Sequence, residues 1–349
     1  MTVTTLFFLS SGLFLGWSLG ANDAANIFGT AVGTRMVRFR VAALIASAFV
    51  ILGAVTSGRG AAQTLGRLGA VNALPGAFTV ALAAALTVMW MTRLKLPVST
   101  TQAIVGAIVG WNIFAGMETD FGSLTTIVVS WVAGPVLAML FAALFYFVFK
   151  RFLRLIHVGI ILQDAYTRAA LLLAGAFGAY SLGANNIANV MGVFVPVSPF
   201  RQSDIWVLSV SGAQQLFLLG GLAIAVGIYT YSHRVMQTVG NDLYKLSPIS
   251  ALIVVLATAA VLFLFASEGL QTWLEANGLP ALPLVPISSS QAVVGGVLGV
   301  GLAKGGRNIN IGVLGRIATG WVSTPVAAGV AAILLLFIAQ NLFLLEVHR

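Results

Sequence analysis

GANDAANIFGTAVG, residues 20–33, decides what kind of chain this is. It sets one Asp and two Asn in a run that is otherwise apolar, and its glycines are expected to break the helix there. A charged side chain at a bilayer centre costs at least about 2.5 kcal/mol, so Asp23 demands a purpose if the run is embedded in lipid. The composition says that it is. Of 349 residues 59% are hydrophobic and 8% charged, with a mean hydropathy of +1.01, against roughly 25% charged residues in a soluble domain. Apolar runs near the ~20 residues needed to cross a bilayer occupy 4–19, 41–57, 73–92, 123–149, 166–182, 205–231, 249–267 and 312–345. Interrupted runs fall near 97–115 and 286–303. The pattern predicts an all-α, polytopic membrane protein with about ten embedded pieces. The first run, MTVTTLFFLSSGLFLG, has no basic n-region and no small-residue cleavage site, so it reads as a retained transmembrane helix.

The net charge of +9 does not point to nucleic acid, because the bases stand in short clusters between apolar runs. Arg35, Arg38 and Arg40 form one and Lys150, Arg151 and Arg154 another, and both loops are expected to be cytoplasmic. No cysteine is present, so disulfides and thiol chemistry are absent. No GxxxxGK[ST] loop appears, which argues against direct drive by ATP.

The opening motif has an echo. GANDAANIFG at 20–29 recurs as GANNIANVMG at 183–192, 163 residues later. QTLG at 63–66 recurs as QTVG at 237–240, PVSTTQAIVGAIVG at 97–110 as PISSSQAVVGGVLG at 286–299, and WVAGP at 131–135 as WVSTP at 321–325. Four ordered pairs with slowly growing offsets mean a duplication. The expected division is a first transmembrane repeat over 1–149, a basic linker over 150–165 and a second repeat over 166–349. A duplicated membrane chain with paired, Gly/Pro-interrupted segments has the pattern of a secondary transporter with a midplane site between its repeats. Arg35, Arg38 and Arg40 follow the first motif, whereas only Arg201 with Asp204 follows the second, which favours opposite orientations of the halves.

Pro97 and Pro286 suit helix starts. The hydroxyls that follow lie beside unpaired N–H groups at an end carrying roughly half a positive charge, which makes an anion cradle. Ser99, Thr100, Thr101 and Gln102 from one half, with Ser288, Ser289, Ser290 and Gln291 from the other, would surround one tetrahedral oxyanion. Their bland alternative is hydroxyls bonded back to the preceding turn. In GANDAAN the polar residues Asn22, Asp23 and Asn26 have spacings that place them on one side of a helix or a broken helix end. Asn185, Asn186 and Asn189 are their counterparts. Oxygen donors of this kind suit Na⁺, though Asn and Asp also serve as plain helix glue. Of nine acidic residues, only Asp23 lies in the apparent membrane interior. It is the candidate Na⁺ ligand, or the group that takes a proton.

Weaker candidates surround these. Gln63-Thr64 and Gln237-Thr238 are duplicated polar pairs that read as caps. Arg93 and Lys95 precede the first hydroxyl cluster and either attract anions or snorkel to the interface. His157, His233 and His348 show no ligand spacing.

With these residues in hand, GANDAANIFGTAVG, GANNIANVMG, PVSTTQAIVG and PISSSQAVVG resemble the duplicated signatures of the PiT inorganic phosphate transporters, over nearly the whole chain. The resemblance implies two inverted-topology repeats, each with a broken helix and a re-entrant helical hairpin. It further implies an oxyanion held between hairpin tips, Na⁺ or H⁺ as coupling ion, no cofactor and a homodimer. It carries the anion site onto Ser99 to Gln102 and Ser288 to Gln291, and the cation site onto Asn22, Asp23, Asn26, Asn185, Asn186 and Asn189. The chain departs from that family where Asn186 stands in an acidic position, where Val50 and Val255 replace Glu, and where Gln102 and Gln291 replace His.

The expected function is a multi-pass inner-membrane symporter, not an enzyme, that moves a tetrahedral oxyanion coupled to Na⁺ or H⁺ by alternating access. The resemblance favours phosphate. Sulfate, which needs no acceptor for a P–OH hydrogen, is the alternative, and an uncoupled anion channel or a membrane enzyme are more distant ones.

Overall fold

The computed structural model describes residues 2–69, 71–93, 98–155, 159–205, 208–238, 246–306 and 311–349. Pro97, Lys95 and His157 lie outside them, as do the side chains of Gln237 and Thr238. The first half carries α1 (Val3–Gly33), α2 (Phe39–Ser57), α3 (Arg59–Leu68), α4 (Leu74–Arg93), α5 (Thr100–Ala115) and α6 (Phe121–Leu155). The second carries α7 (Ile160–Met191), α8 (Gly212–Thr230), α9 (Ser232–Thr238), α10 (Pro248–Leu264), α11 (Glu268–Ala276), α12 (Ser289–Ala303) and α13 (Ile311–Asn341). An antiparallel pair of three-residue strands, β1 (Ser203–Ile205) and β2 (Leu208–Val210), precedes α8, and β2 lies inside the run expected to be helical from 205.

Among the described residues six helices are long and apolar enough to cross a membrane, or seven if α10 and α11, bent by 69° across a short break, form one span. Helices α5 and α12 are shorter, at 16 and 15 residues. At 1.5 Å per residue they reach about 24 Å, less than the ~30 Å of a hydrocarbon core. Helix α7 is outside the six; it carries Asp164, Arg168 and its three Asn in 32 residues, which is reason enough to lower its hydropathy.

One expectation needs correcting. The two Asn-rich motifs do not break their helices: α1 runs unbroken through 20–29 and α7 through 183–191. Their glycines serve close packing instead. A Cβ on Gly20 would stand 2.0 Å from the Ile224 carbonyl oxygen of α8, and one on Gly183 would stand 2.1 Å from the Val50 oxygen of α2. The break falls at α10–α11, and α2 gives way to α3 at Gly58.

Packing exchanges elements between the halves. Helix α2 lies on α7 as α8 lies on α1, and α6 lies on α12 as α13 lies on α5. The seams are made of glycines at matching positions. Gly106 and Gly110 abut Pro325 and Gly329 of α13, while Gly295 and Gly299 abut Pro135 and Met139 of α6. Helices α1 and α7 run antiparallel, with Phe28 against Gly175 and Phe194, just past α7, against Gly12. Backbones this close gain dispersion contacts that lipid tails cannot match.

The outward faces of α6 and α13 are apolar, with Val132, Val136, Leu140 and Leu144 exposed on one and Val322, Val326, Val330 and Leu334 on the other. A stripe that large suits lipid rather than water. The turn after α1 and the start of α7 share one end of the molecule, because Arg168 donates to the carbonyl oxygens of Met36 at 2.7 Å and Arg35 at 3.4 Å. Both basic clusters therefore lie at the same end of the molecule.

Candidate functional site

The starts of α5 and α12 meet inside the bundle. Ser99 caps α5 by accepting from the Gln102 N–H, and Ser288 caps α12 by accepting from the Gln291 N–H, each at 3.3 Å. Thr101 Oγ1 donates to the Ile287 carbonyl at 3.1 Å, one residue before the opposite cap. Two sets of unpaired N–H groups and two positive helix ends thus converge on one place.

Each Asn-rich motif attends to the tip contributed by the other half. From α1, Asp23 Oδ2 accepts from the Ser289 hydroxyl at 2.9 Å, and Asn26 Nδ2 donates to the hydroxyls of Ser289 and Ser290 at 3.2 Å. From α7, Asn189 Nδ2 donates to Thr101 Oγ1 at 2.9 Å and reaches Asn186 Oδ1 at 3.5 Å. Asp23 is the one buried acid among the described residues.

Asn185 does something different from its sequence assignment. Its Oδ1 accepts from the Ile287 N–H at 2.8 Å and its Nδ2 donates to the Val285 carbonyl at 3.0 Å. Both ends of the amide thus clamp the extended chain leading into α12. Asn22 instead donates to Ser18 O of its own helix at 3.0 Å. Thr64 Oγ1 donates to Leu284 O at 2.6 Å, which makes that residue a second anchor for the same extended chain, while Gln63 and Arg93 are exposed. His233 lies tilted against Phe39 and His348 edge-on to Phe114, neither of them on a tip.

Burial is unequal between equivalent positions. Thr101, Asn185 and Asn189 are buried, whereas their counterparts Ser290, Asn22 and Asn26 are partly exposed. The remaining members, Ser99, Thr100, Gln102, Ser288, Ser289, Gln291, Asp23 and Asn186, are buried. Several polar atoms there have no partner: Gln102 Oε1, Gln291 Oε1 and Asn189 Oδ1. Trp131 Nε1 and Trp321 Nε1 are likewise buried and unpaired. Reading motifs for hydroxyls and carboxylates missed these indoles, although the repeated WVAGP and WVSTP blocks marked them.

A family model described as the phosphate transporter family matches residues 19–332 and again 281–348. The chain belongs to the phosphate transporter family. It is a family of transporters, not of enzymes. Among curated relatives, a protein of Pyrococcus abyssi provisionally named a phosphate permease is 28% identical, with 94% of this chain and 96% of that one covered. One of Methanocaldococcus jannaschii with the same description is 29% identical, covering 90% and 91%. Among solved structures, that of a protein described as the sodium-dependent phosphate transporter superposes with a TM-score of 0.77 over 97% of this chain and 99% of that chain, at 23% identity, so it shares the fold. Phosphate transporters of this family are multi-pass membrane proteins, which agrees with the six or seven spans among the described residues.

Proposed function

We propose that the protein is a secondary-active symporter of inorganic phosphate, held in an inner membrane as a homodimer and driven by Na⁺ or H⁺ bound at Asp23. The observation that carries the reading is the meeting of two hydroxyl-lined helix starts, with the one buried carboxylate among the described residues bonded to one of them. The phosphate oxygens would take hydrogen bonds from the hydroxyls of Ser99, Thr100, Thr101 and Ser288 to Ser290, from the amides of Gln102 and Gln291, and from the backbone N–H groups of both tips. The charge on Asp23 offsets that of a bound cation, with Asn22, Asn26 and Asn186 offering further oxygens. The sodium dependence of the structural neighbour supports sodium as that cation.

Phosphate is favoured over sulfate by an acceptor. Monohydrogen phosphate presents a P–OH hydrogen that sulfate lacks, and Asn189 Oδ1 is a buried oxygen without a donor. Alternating access is supported by the unequal burial of equivalent positions. If the halves are inverted repeats, closing Asn26 and Ser290 as Asn189 and Thr101 are now closed, and opening the latter pair, turns the site to the other side. In that state Asn22 would accept from the Val98 N–H, as Asn185 accepts from Ile287 here.

Purified protein in liposomes tests this. Labelled phosphate should accumulate above its equilibrium level when a Na⁺ or a proton gradient is imposed, and excess sulfate should compete poorly. Equilibration without accumulation would make the protein a channel, and stronger competition by sulfate than by phosphate would reassign the anion.

A further inference from the structure

The two unpaired indoles are placed to act on the two unpaired amides. In the seam between α6 and α12, Gly295 abuts Pro135 and Gly299 abuts Met139, so the helices run in the same direction in a matched register. One turn back along both, Trp131 falls level with Gln291. In the seam between α5 and α13, Gly106 abuts Pro325 and Gly110 abuts Gly329. One turn back, Trp321 falls level with Gln102. Each level therefore holds a buried N–H donor and a buried carbonyl acceptor, neither of them satisfied. Leaving such a group buried and unpaired is unfavourable, and the same unmet pair in both halves is a feature that a single misfit does not explain.

The glycine registers put each Trp level with the first turn of a tip helix, Trp131 with that of α12 and Trp321 with that of α5.

Resting on the reading of the tips as a phosphate site, we propose that Trp131 and Trp321 are positioning residues for Gln291 and Gln102. When the anion is bound, each indole N–H donates to the carboxamide oxygen of its Gln and so turns the amide NH₂ toward the anion. A carboxamide presents a donor at one end and an acceptor at the other. The wrong end would set a carbonyl oxygen against a phosphate oxygen. Pairing the carbonyl also polarises the amide and strengthens its NH₂ as a donor.

The test measures equilibrium binding of labelled inorganic phosphate to the full-length protein in detergent at fixed Na⁺ and pH. Trp321→Phe and Trp131→Phe should each weaken phosphate binding about five- to tenfold, tenfold being about 1.4 kcal/mol, with the half-saturating cation concentration unchanged. Replacing either indole by its benzothiophene analogue removes the N–H while keeping the shape, and should give the same loss even if the Phe variants fold poorly. In a Gln102→Leu background, Trp321→Phe should cost nothing further, because its partner is gone. Additive losses, or full affinity with the benzothiophene, would overturn the positioning role while the unmodified protein still binds phosphate. Failure of the unmodified protein to bind phosphate would instead overturn the transport reading itself.

Discussion

Asp23 and Asn185 occupy similar motifs and do different work. Asp23 holds Ser289 of the opposite tip through a carboxylate oxygen and is the one buried acid among the described residues. We expect Asp23→Asn to reduce cation-driven phosphate uptake in liposomes to the level of empty vesicles, with an unchanged circular dichroism spectrum and elution volume; uptake above half of normal would remove the coupling role. Asn185 clamps Val285 and Ile287, both buried. Asn185→Ala strands one backbone carbonyl and one N–H, at about 1–3 kcal/mol for each. A lowered thermal midpoint in detergent checks this, and an unchanged one would show that the clamp carries no stability. These two roles were not separable from the motifs, because an Asn aligned with an Asn says nothing about which backbone group lies beside it.

The helical elements depend on glycine at the crossings. Pro325 and Pro135 sit inside α13 and α6, and their carbonyls press on Gly106 and Gly295, where an added Cβ would stand 2.1 Å away. Overpacking of this kind costs about 1–3 kcal/mol or more. Gly106→Ala and Gly295→Ala should therefore both lower the thermal midpoint, and by similar amounts, since they occupy matching seams. Gly66, in α3, faces open space. Gly66→Ala is expected to leave the midpoint unchanged or raise it, by up to about 1 kcal/mol of helix propensity. A larger loss at Gly66 than at Gly106 would contradict the seam geometry. Hydropathy located most of the long helices but not their lengths: α1 has 31 residues and α7 32, because their Asn-rich second halves stay helical beyond the apolar runs at 4–19 and 166–182. The reading of the glycines as helix breakers was not right, because a lone sequence does not reveal that another backbone approaches at that point.

As one assembly, the two halves are interlocked, so that each tip is capped by its own serine and held by the other half's motif. The unequal closure of Asn189 with Thr101 and of Asn26 with Ser290 has a direct chemical readout. The chain has no cysteine, so single replacements need no altered background. In the conformation described, a small polar thiol reagent should modify Ser290→Cys several-fold faster than Thr101→Cys, and Na⁺ with phosphate should slow the reaction at Ser290→Cys. Equal rates would mean that the halves are closed alike and would remove the structural support for alternating access.

Membrane class, duplication and the identity of the polar motifs were written in the chain, because insertion into lipid penalises every stray polar residue and so makes each surviving one stand out in the order of residues. Which motif grips which tip, which Asn serves backbone rather than ligand, and which indole lies level with which amide came from the folded packing. Those facts depend on the register between segments 88 or more residues apart, and hydropathy carries no information about register.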